Sequence, residues 1–236
     1  LAFGEAAAMA WWNRLWCRRV FLPHIERSSL VRLTLPGWSE GPSDKDMRIW
    51  RDSEGDVLSL SFLEKGLDFP RGPGETNLRR WCREIAQSRE GGLIEAQAMA
   101  CGLGPSVGFI YKRTQVQNTG YVYTGMFITS VQLGSLVWTV VAGERGTSGL
   151  REAVVTADLM KAGKLTLEAY ERCWAQDPYE PTYQGVDRIV LRFMSDDKNY
   201  DAQFPRHALS KVRRVMAALP ENVCFDSQEA SNSSRS

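Results

Sequence analysis

The sequence has only two histidines, His24 and His207, and its five cysteines lie far apart with no CxxC pair. Neither histidine has a second ligand-type residue at helical spacing, which argues against a structural zinc or a histidine-rich metal centre. The odd, scattered cysteines (Cys17, Cys82, Cys101, Cys173 and Cys224) suit the reduced thiols of a cytoplasmic protein better than a disulfide framework. No window approaches the roughly 20 apolar residues that span a bilayer. The first residues lack the charged region, apolar run and small-residue cleavage site of an export signal. They open on Leu1, so Met9 is the candidate natural start and Leu1–Ala8 reads as an appended remnant. Neither sign of charge is in excess. With 29 Lys and Arg against 28 Asp and Glu, the net charge is +1, and no nucleic-acid partner is expected.

Catalytic motifs are missing as well. In "VWTVVAGERGTSGLREAVV" an apolar strand runs into three glycines and then a helix, as several phosphate-binding loops do. A Walker loop follows its last glycine with Lys and Ser or Thr, whereas Gly149 is followed by Leu150 and Arg151. The spacing Gly143, Gly146, Gly149 is not GxGxxG, and Glu144 sets a negative charge where a phosphate would approach. The expectation is a structural corner: Gly143 and Gly146 supply left-handed dihedrals, Thr147 or Ser148 caps the helix, and Glu152 complements its dipole. No serine sits in a GxSxG elbow. Asp201, His207 and Ser210 are near in sequence, but triads are assembled in space, and His207, at a helix start just after a proline, is read as capping or decorating an exposed turn. Asp44, Asp46, Glu180, Asp196 and Asp197 are read as solvated loop acids. Arg206, Lys211, Arg213 and Arg214 are read as a solvated helix face. No cofactor, metal or catalytic residue is expected, and the reading leans away from an enzyme.

What is present is 236 residues with 43% apolar and 24% charged content, enough for a sizeable core. "MAWWNRLWCRRVF" reads as an amphipathic helix with Trp12, Leu15, Trp16 and Val20 on one face. "SLVRLTLPGW" reads as a strand, and "MRIWRDSEGDVLSLSF" as a hairpin turning at Asp52–Asp56. A helix capped by Thr76 carries Leu78, Trp81, Cys82 and Ile85 inward. Four strands follow, "LIEAQAMAC", "VGFIYKRTQ", "GYVYTGMFITSV" and "SLVWTVVAG", whose short connectors favour antiparallel neighbours. A helix from Leu150 turns Leu150, Ala153, Val154 and Ala157 inward. Beyond it lie a short helix aligning Leu167, Tyr170 and Trp174, a strand "DRIVLRFM", and a helix with Leu209, Val212, Met216 and Leu219 on one face.

The expected fold is α+β: an antiparallel, curved sheet of about six strands flanked by helices, with a C-terminal α-β-α extension. The expected organisation is an N-terminal Trp/Arg-rich segment over 1–28, a core over 29–163, the extension over 164–225, and a disordered tail over 226–236.

The order of "LTLPGW", the "VLSLSF" arm, the "NLRRWCREIA" helix, the "YKRTQ…GYVYTGMFI…LVWTVVAG" meander and a closing helix resembles the PsbP-like, DcrB-type α/β/α sandwich. The likeness spans about Ser29 to Ala162. That class includes an extrinsic photosystem protein, a yeast nuclear-import factor that binds Ran and bacterial DcrB-type proteins. It implies a non-catalytic binding or accessory role and supplies no catalytic residue.

The expected function is therefore binding of another protein. The candidate surface is Trp11, Trp12 and Trp16 with Tyr111, Tyr121 and Tyr123, because Trp and Tyr give large contact area at little ordering cost. Two alternatives stand beside it. One is a small-molecule binder or hydrolase using the Gly143–Arg151 loop or His207. The other is peripheral membrane attachment through the N-terminal helix.

Overall fold

The computed structural model describes residues 31–42, 47–70, 75–115, 120–131, 134–183 and 190–225. The chain begins with β1 (Val31–Leu33), β2 (Trp38–Glu40), β3 (Met47–Asp52) and β4 (Val57–Leu63), and continues into helix α1 (Glu75–Ser88). A four-strand meander follows: β5 (Gly92–Cys101), β6 (Gly104–Thr114), β7 (Tyr121–Val131) and β8 (Gly134–Gly143). Then come α2 (Leu150–Lys161), α3 (Leu167–Cys173), the short β9 (Ala175–Gln176) and β10 (Arg192–Phe193), and two 3-10 turns, Met194–Asp196 and Lys198–Tyr200. Helix α4 (Ala208–Asn222) and β11 (Val223–Phe225) complete the described chain.

The fold is α+β. Seven strands pair antiparallel in the order β2-β3-β4-β8-β7-β6-β5, an open sheet rather than a closed barrel. The β3–β4 hairpin turns at Asp52–Asp56, where the Asp52 carboxylate accepts the Glu54 and Asp56 amides and Gly55 takes a positive φ. The strand expected at "SLVRLTLPGW" exists only as β1, and it pairs with β11 instead of joining the sheet, so it ties the two ends of the described chain together.

Strand alternation gives the sheet two covered faces. Val107, Phe109 and Tyr111 of β6, Met126 and Ile128 of β7, and Val137 of β8 meet Leu78, Cys82 and Ala86 of α1. The opposite residues, including Leu58, Leu60, Ile110, Phe127, Trp138 and Val140, meet Leu209, Val212, Met216 and Leu219 of α4. Each of those α4 side chains contributes about 1.5–3 kcal/mol by leaving water. Gly125 makes the close approach possible. A Cβ there would lie 2.8 Å from Met216 Cγ and 2.9 Å from Val140 Cγ1.

Helix α2 departs from the expectation. Hydrophobicity alone turns Leu150 inward, yet Leu150 is 53% exposed and the buried residues are Arg151 and Val155. Neither Thr147 nor Ser148 caps it. The N-cap is Gly149, at φ 73° and without a side-chain bond. The loop does turn a corner, with Gly146 and Gly149 in the left-handed region. Gly143 is not among the positive-φ glycines.

At the other end of the sheet, Tyr179 stands against the outer side of β5. Its hydroxyl accepts the Ala96 amide (2.7 Å) and donates to the Ala96 carbonyl (3.0 Å), so a phenol occupies pairing groups that a further strand would use.

Candidate functional site

The pairing register draws the buried polar residues to one end of the α4-facing side of the sheet. Lys112 lies opposite Tyr123, and Tyr123 lies opposite Ala142. Two residues further along the same face, the Glu144 amide bonds the Tyr121 carbonyl. Alternation thus collects Lys112, Tyr121, Tyr123 and Glu144 where an apolar row would be expected.

Lys112 and Asp196 are both 0% exposed and pair at 2.5 Å, Nζ to Oδ2. Asp196 also accepts the Phe193 amide at 2.8 Å, and the ammonium lies over the Phe193 ring, 3.1 Å from its centroid. Burial pushes the Lys112 ammonium below its ordinary range, with the Asp196 carboxylate opposing that shift. The buried Tyr123 phenol is pushed well above its ordinary range, first by desolvation and then by Asp196, Glu152 and Glu144.

Arg151, drawn inward by α2, closes a second knot. Its guanidinium donates to the carbonyls of Ser195 (2.7 Å) and Asp197 (3.0 Å), to Ser210 Oγ (2.9 Å) and to Asp201 Oδ1 (3.0 Å). Arg213 of α4 reaches Glu95, Asp201 and the Asp196 carbonyl. Lys211 meets Asp52, Glu54 and Asp56 at the hairpin turn. These contacts correct two expectations. Asp196 is a buried ion-pair partner rather than a solvated loop acid, and Lys211 and Arg213 are paired rather than part of a solvated face. Arg206, at 88% side-chain exposure, does lie in solvent.

The third group joins two segments that the sequence left apart, the glycine loop and His207. His207 caps α4, its Nδ1 accepting the Leu209 amide at 3.2 Å, and its ring stands edge-on to Tyr123. With Nδ1 accepting, Nε2 carries the proton and donates it to Glu144 Oε1 at 2.9 Å. Glu144 Oε2 accepts the Tyr121 amide at 3.2 Å. Next to them, both carboxylate oxygens of Glu152 are shut off from solvent without a hydrogen-bond partner on any other residue. Burial raises the Glu152 carboxyl above its ordinary range, and Glu144 and Asp196 raise it further. One ligand atom from each of Glu144, Glu152 and His207 falls within 4.8 Å of the others, a set that could hold a metal ion.

The Asp201–His207–Ser210 grouping does not form a triad. Ser210 Oγ donates to Asp201 at 3.0 Å and accepts from Arg151, while His207 faces Glu144. Ser210 therefore has no imidazole base beside it, and the Asp201 carboxylate that it meets is tied up by Arg151 and Arg213.

The tyrosines expected on an open surface are elsewhere. Tyr111 is buried under α1, Tyr123 is fully buried and Tyr121 is half-buried. The reason is that both sheet faces carry a helix, so alternation sends neighbouring tyrosines into two interiors. Trp11, Trp12 and Trp16 lie outside the described residues, as do the segment 1–28 and the tail 226–236.

Two clefts open beside this polar end. One, of about 600 Å³, is lined by Trp174, Pro178, Pro181, Phe193 and Tyr200 among others. The other, of about 440 Å³, runs along β5 past Ala96, Met99 and Met216. Tyr170, Trp174 and Phe193 stack in sequence at 5.1 and 5.9 Å between ring centroids, so an aromatic column leads from α3 to Lys112. Among the described residues, no helix is long and apolar enough to cross a membrane.

The sequence did carry a signal for part of this site. In "VGFIYKRTQ", Lys112 shares its face with Ile110 and so points to a buried charge that needs a partner. The partner, Asp196, lies 84 residues away, and no spacing rule reaches it.

No protein-family model and no curated protein matches the chain. Among solved structures, the chain is similar to the Ran-binding protein Mog1p of Saccharomyces cerevisiae. The TM-score is 0.37 at 8% identity, over 65% of this chain and 86% of that one. A likeness of that size carries nothing about function.

Proposed function

We propose that this protein is a non-catalytic accessory protein that works by binding another protein, and that α3 carries the contact. The observation behind this reading is that α3 buries none of its residues, although Leu167 and Tyr170 are both apolar and three apart on it. Leu167 is 74% exposed and Tyr170 37% exposed, next to the aromatic wall of the larger cleft. An exposed apolar stripe beside an aromatic cleft suits a protein partner, because Tyr and Trp anchor interfaces. The interior charges, by contrast, are mostly engaged with one another. Kinship with PsbP-like, DcrB-type proteins belongs to the same proposal, supported by the order hairpin, helix, four-strand meander, helix. So does a reducing, cytoplasmic setting, which the unpaired Cys82 and Cys101 suit.

The test is affinity capture with the parent chain, followed by titration of the purified partner against parent and a Leu167→Asp/Tyr170→Asp double variant. The expected result is at least a roughly tenfold loss of affinity, since two interface anchors are removed. An unchanged affinity, or the absence of any partner that binds the purified parent, overturns the proposal.

A further inference from the structure

We propose that Glu144, Glu152 and His207 form a binding site for one divalent transition-metal cation of the zinc type. Their ligand atoms converge within 4.8 Å from three separate elements: the loop after β8, the first turn of α2 and the N-cap of α4. A second, independent observation points to a ligand there. Both oxygens of the Glu152 carboxylate are shut off from solvent and take no hydrogen bond from any other residue, an arrangement that native interiors rarely leave unanswered. Three carboxylates, those of Glu144, Glu152 and Asp196, act on this corner of the interior, with the Lys112 ammonium beside them already paired to Asp196. A cation relieves that excess, and the Glu144 and Glu152 carboxylates balance a charge of 2+.

The donor set selects the class of ion. One imidazole nitrogen with two carboxylates suits zinc and its first-row neighbours, whereas magnesium and calcium favour oxygen alone. Three protein ligands leave a fourth position for water. Binding draws the three ligand atoms inward to metal distance, and Glu152 has no hydrogen bond to another residue to break in moving. His207 does have one. For Nε2 to take the metal, its proton transfers to Nδ1, and the Leu209 amide loses its acceptor. Metal loading is thereby written into the first turn of α4.

The full chain, treated with chelator and dialysed, is titrated with zinc alone by calorimetry, alongside Glu152→Gln and His207→Asn. The histidine tautomer is followed by nitrogen-15 NMR. The parent is expected to bind one zinc and to shift its Nε2 resonance. Altering supporting residues around a metal already costs about 10–100-fold, so each variant should bind at least about a hundredfold more weakly. Glu152→Gln keeps the shape of the side chain and removes an unpartnered charge, so it folds even if His207→Asn does not. No zinc bound by the parent, or zinc bound as tightly by Glu152→Gln (as exposed Cys173 would give), overturns the proposal.

Discussion

Toward α1 the sheet presents Val107, Phe109, Tyr111, Met126 and Ile128, whereas toward α4 the same two middle strands carry Lys112 and Tyr123 beside Glu144. The α1 side is held by shape and area, which are non-directional and tolerate substitutions of similar volume. The other side combines an apolar centre under α4 with a polar end where Lys112, Arg151, Arg213 and their acids fix α2, α4 and the 3-10 turns in one arrangement. A buried ion pair is weak evidence for net stability, because desolvation costs much of what attraction returns. Its consequence is asymmetry: removing one partner strands the other. The two faces should therefore answer differently to substitutions of similar size.

The largest effect is expected at the ion pair. Lys112→Met leaves Asp196 buried and uncompensated, a loss of about 3–5 kcal/mol in denaturant unfolding. Met126→Leu on the opposite face should cost less than about 1.5 kcal/mol. Equal losses at both positions would erase the distinction between the faces. Next comes the seat of α4: Gly125→Val pushes on Met216 and Val140 and should cost about 1–3 kcal/mol in the same measurement.

Glu152→Gln should act in the opposite direction. The Glu152 carboxyl is held above its ordinary range, so between its unfolded and folded values the native state binds more protons than the unfolded chain. Its contribution is present below the unfolded value and is lost as pH rises through the folded one. In metal-free protein at neutral pH the variant should therefore be more stable by about 1 kcal/mol, and the decline of stability with rising pH should flatten. Urea unfolding of both proteins across pH 4 to 8 checks the sign. The smallest effect concerns the thiols. Burial pushes Cys82 up to about 12, while Cys173 is exposed. In single-cysteine variants, Cys173 should react at once with a thiol reagent and Cys82 only on unfolding.

The legible parts of the sequence were those governed by period. The β3–β4 hairpin, the meander, the stripe Leu78–Cys82 on α1 and the stripe Leu209–Val212–Met216–Leu219 on α4 follow from alternation and 3.6-residue spacing, and each buries an apolar row. Period misleads where a charge replaces the apolar residue. Hydropathy points to the wrong face of α2, because Arg151 is held in the interior by four hydrogen bonds that no hydropathy pattern encodes. The position of His207 at a helix start after Pro205 points to a cap or an exposed turn, and it is the cap that forms. Its bond to Glu144 was not legible, because 63 residues separate them. The tyrosines lie inside for a related reason, as alternation gives two faces without saying that both are covered.

The most direct test of the account is a double-mutant cycle at Lys112→Met and Asp196→Leu, read by denaturant unfolding. If the polar end of the sheet is a closed structural lock, each single replacement costs about 3–5 kcal/mol and the double variant regains most of that loss. Losses that simply add, leaving the double variant worse than either single one, would contradict it.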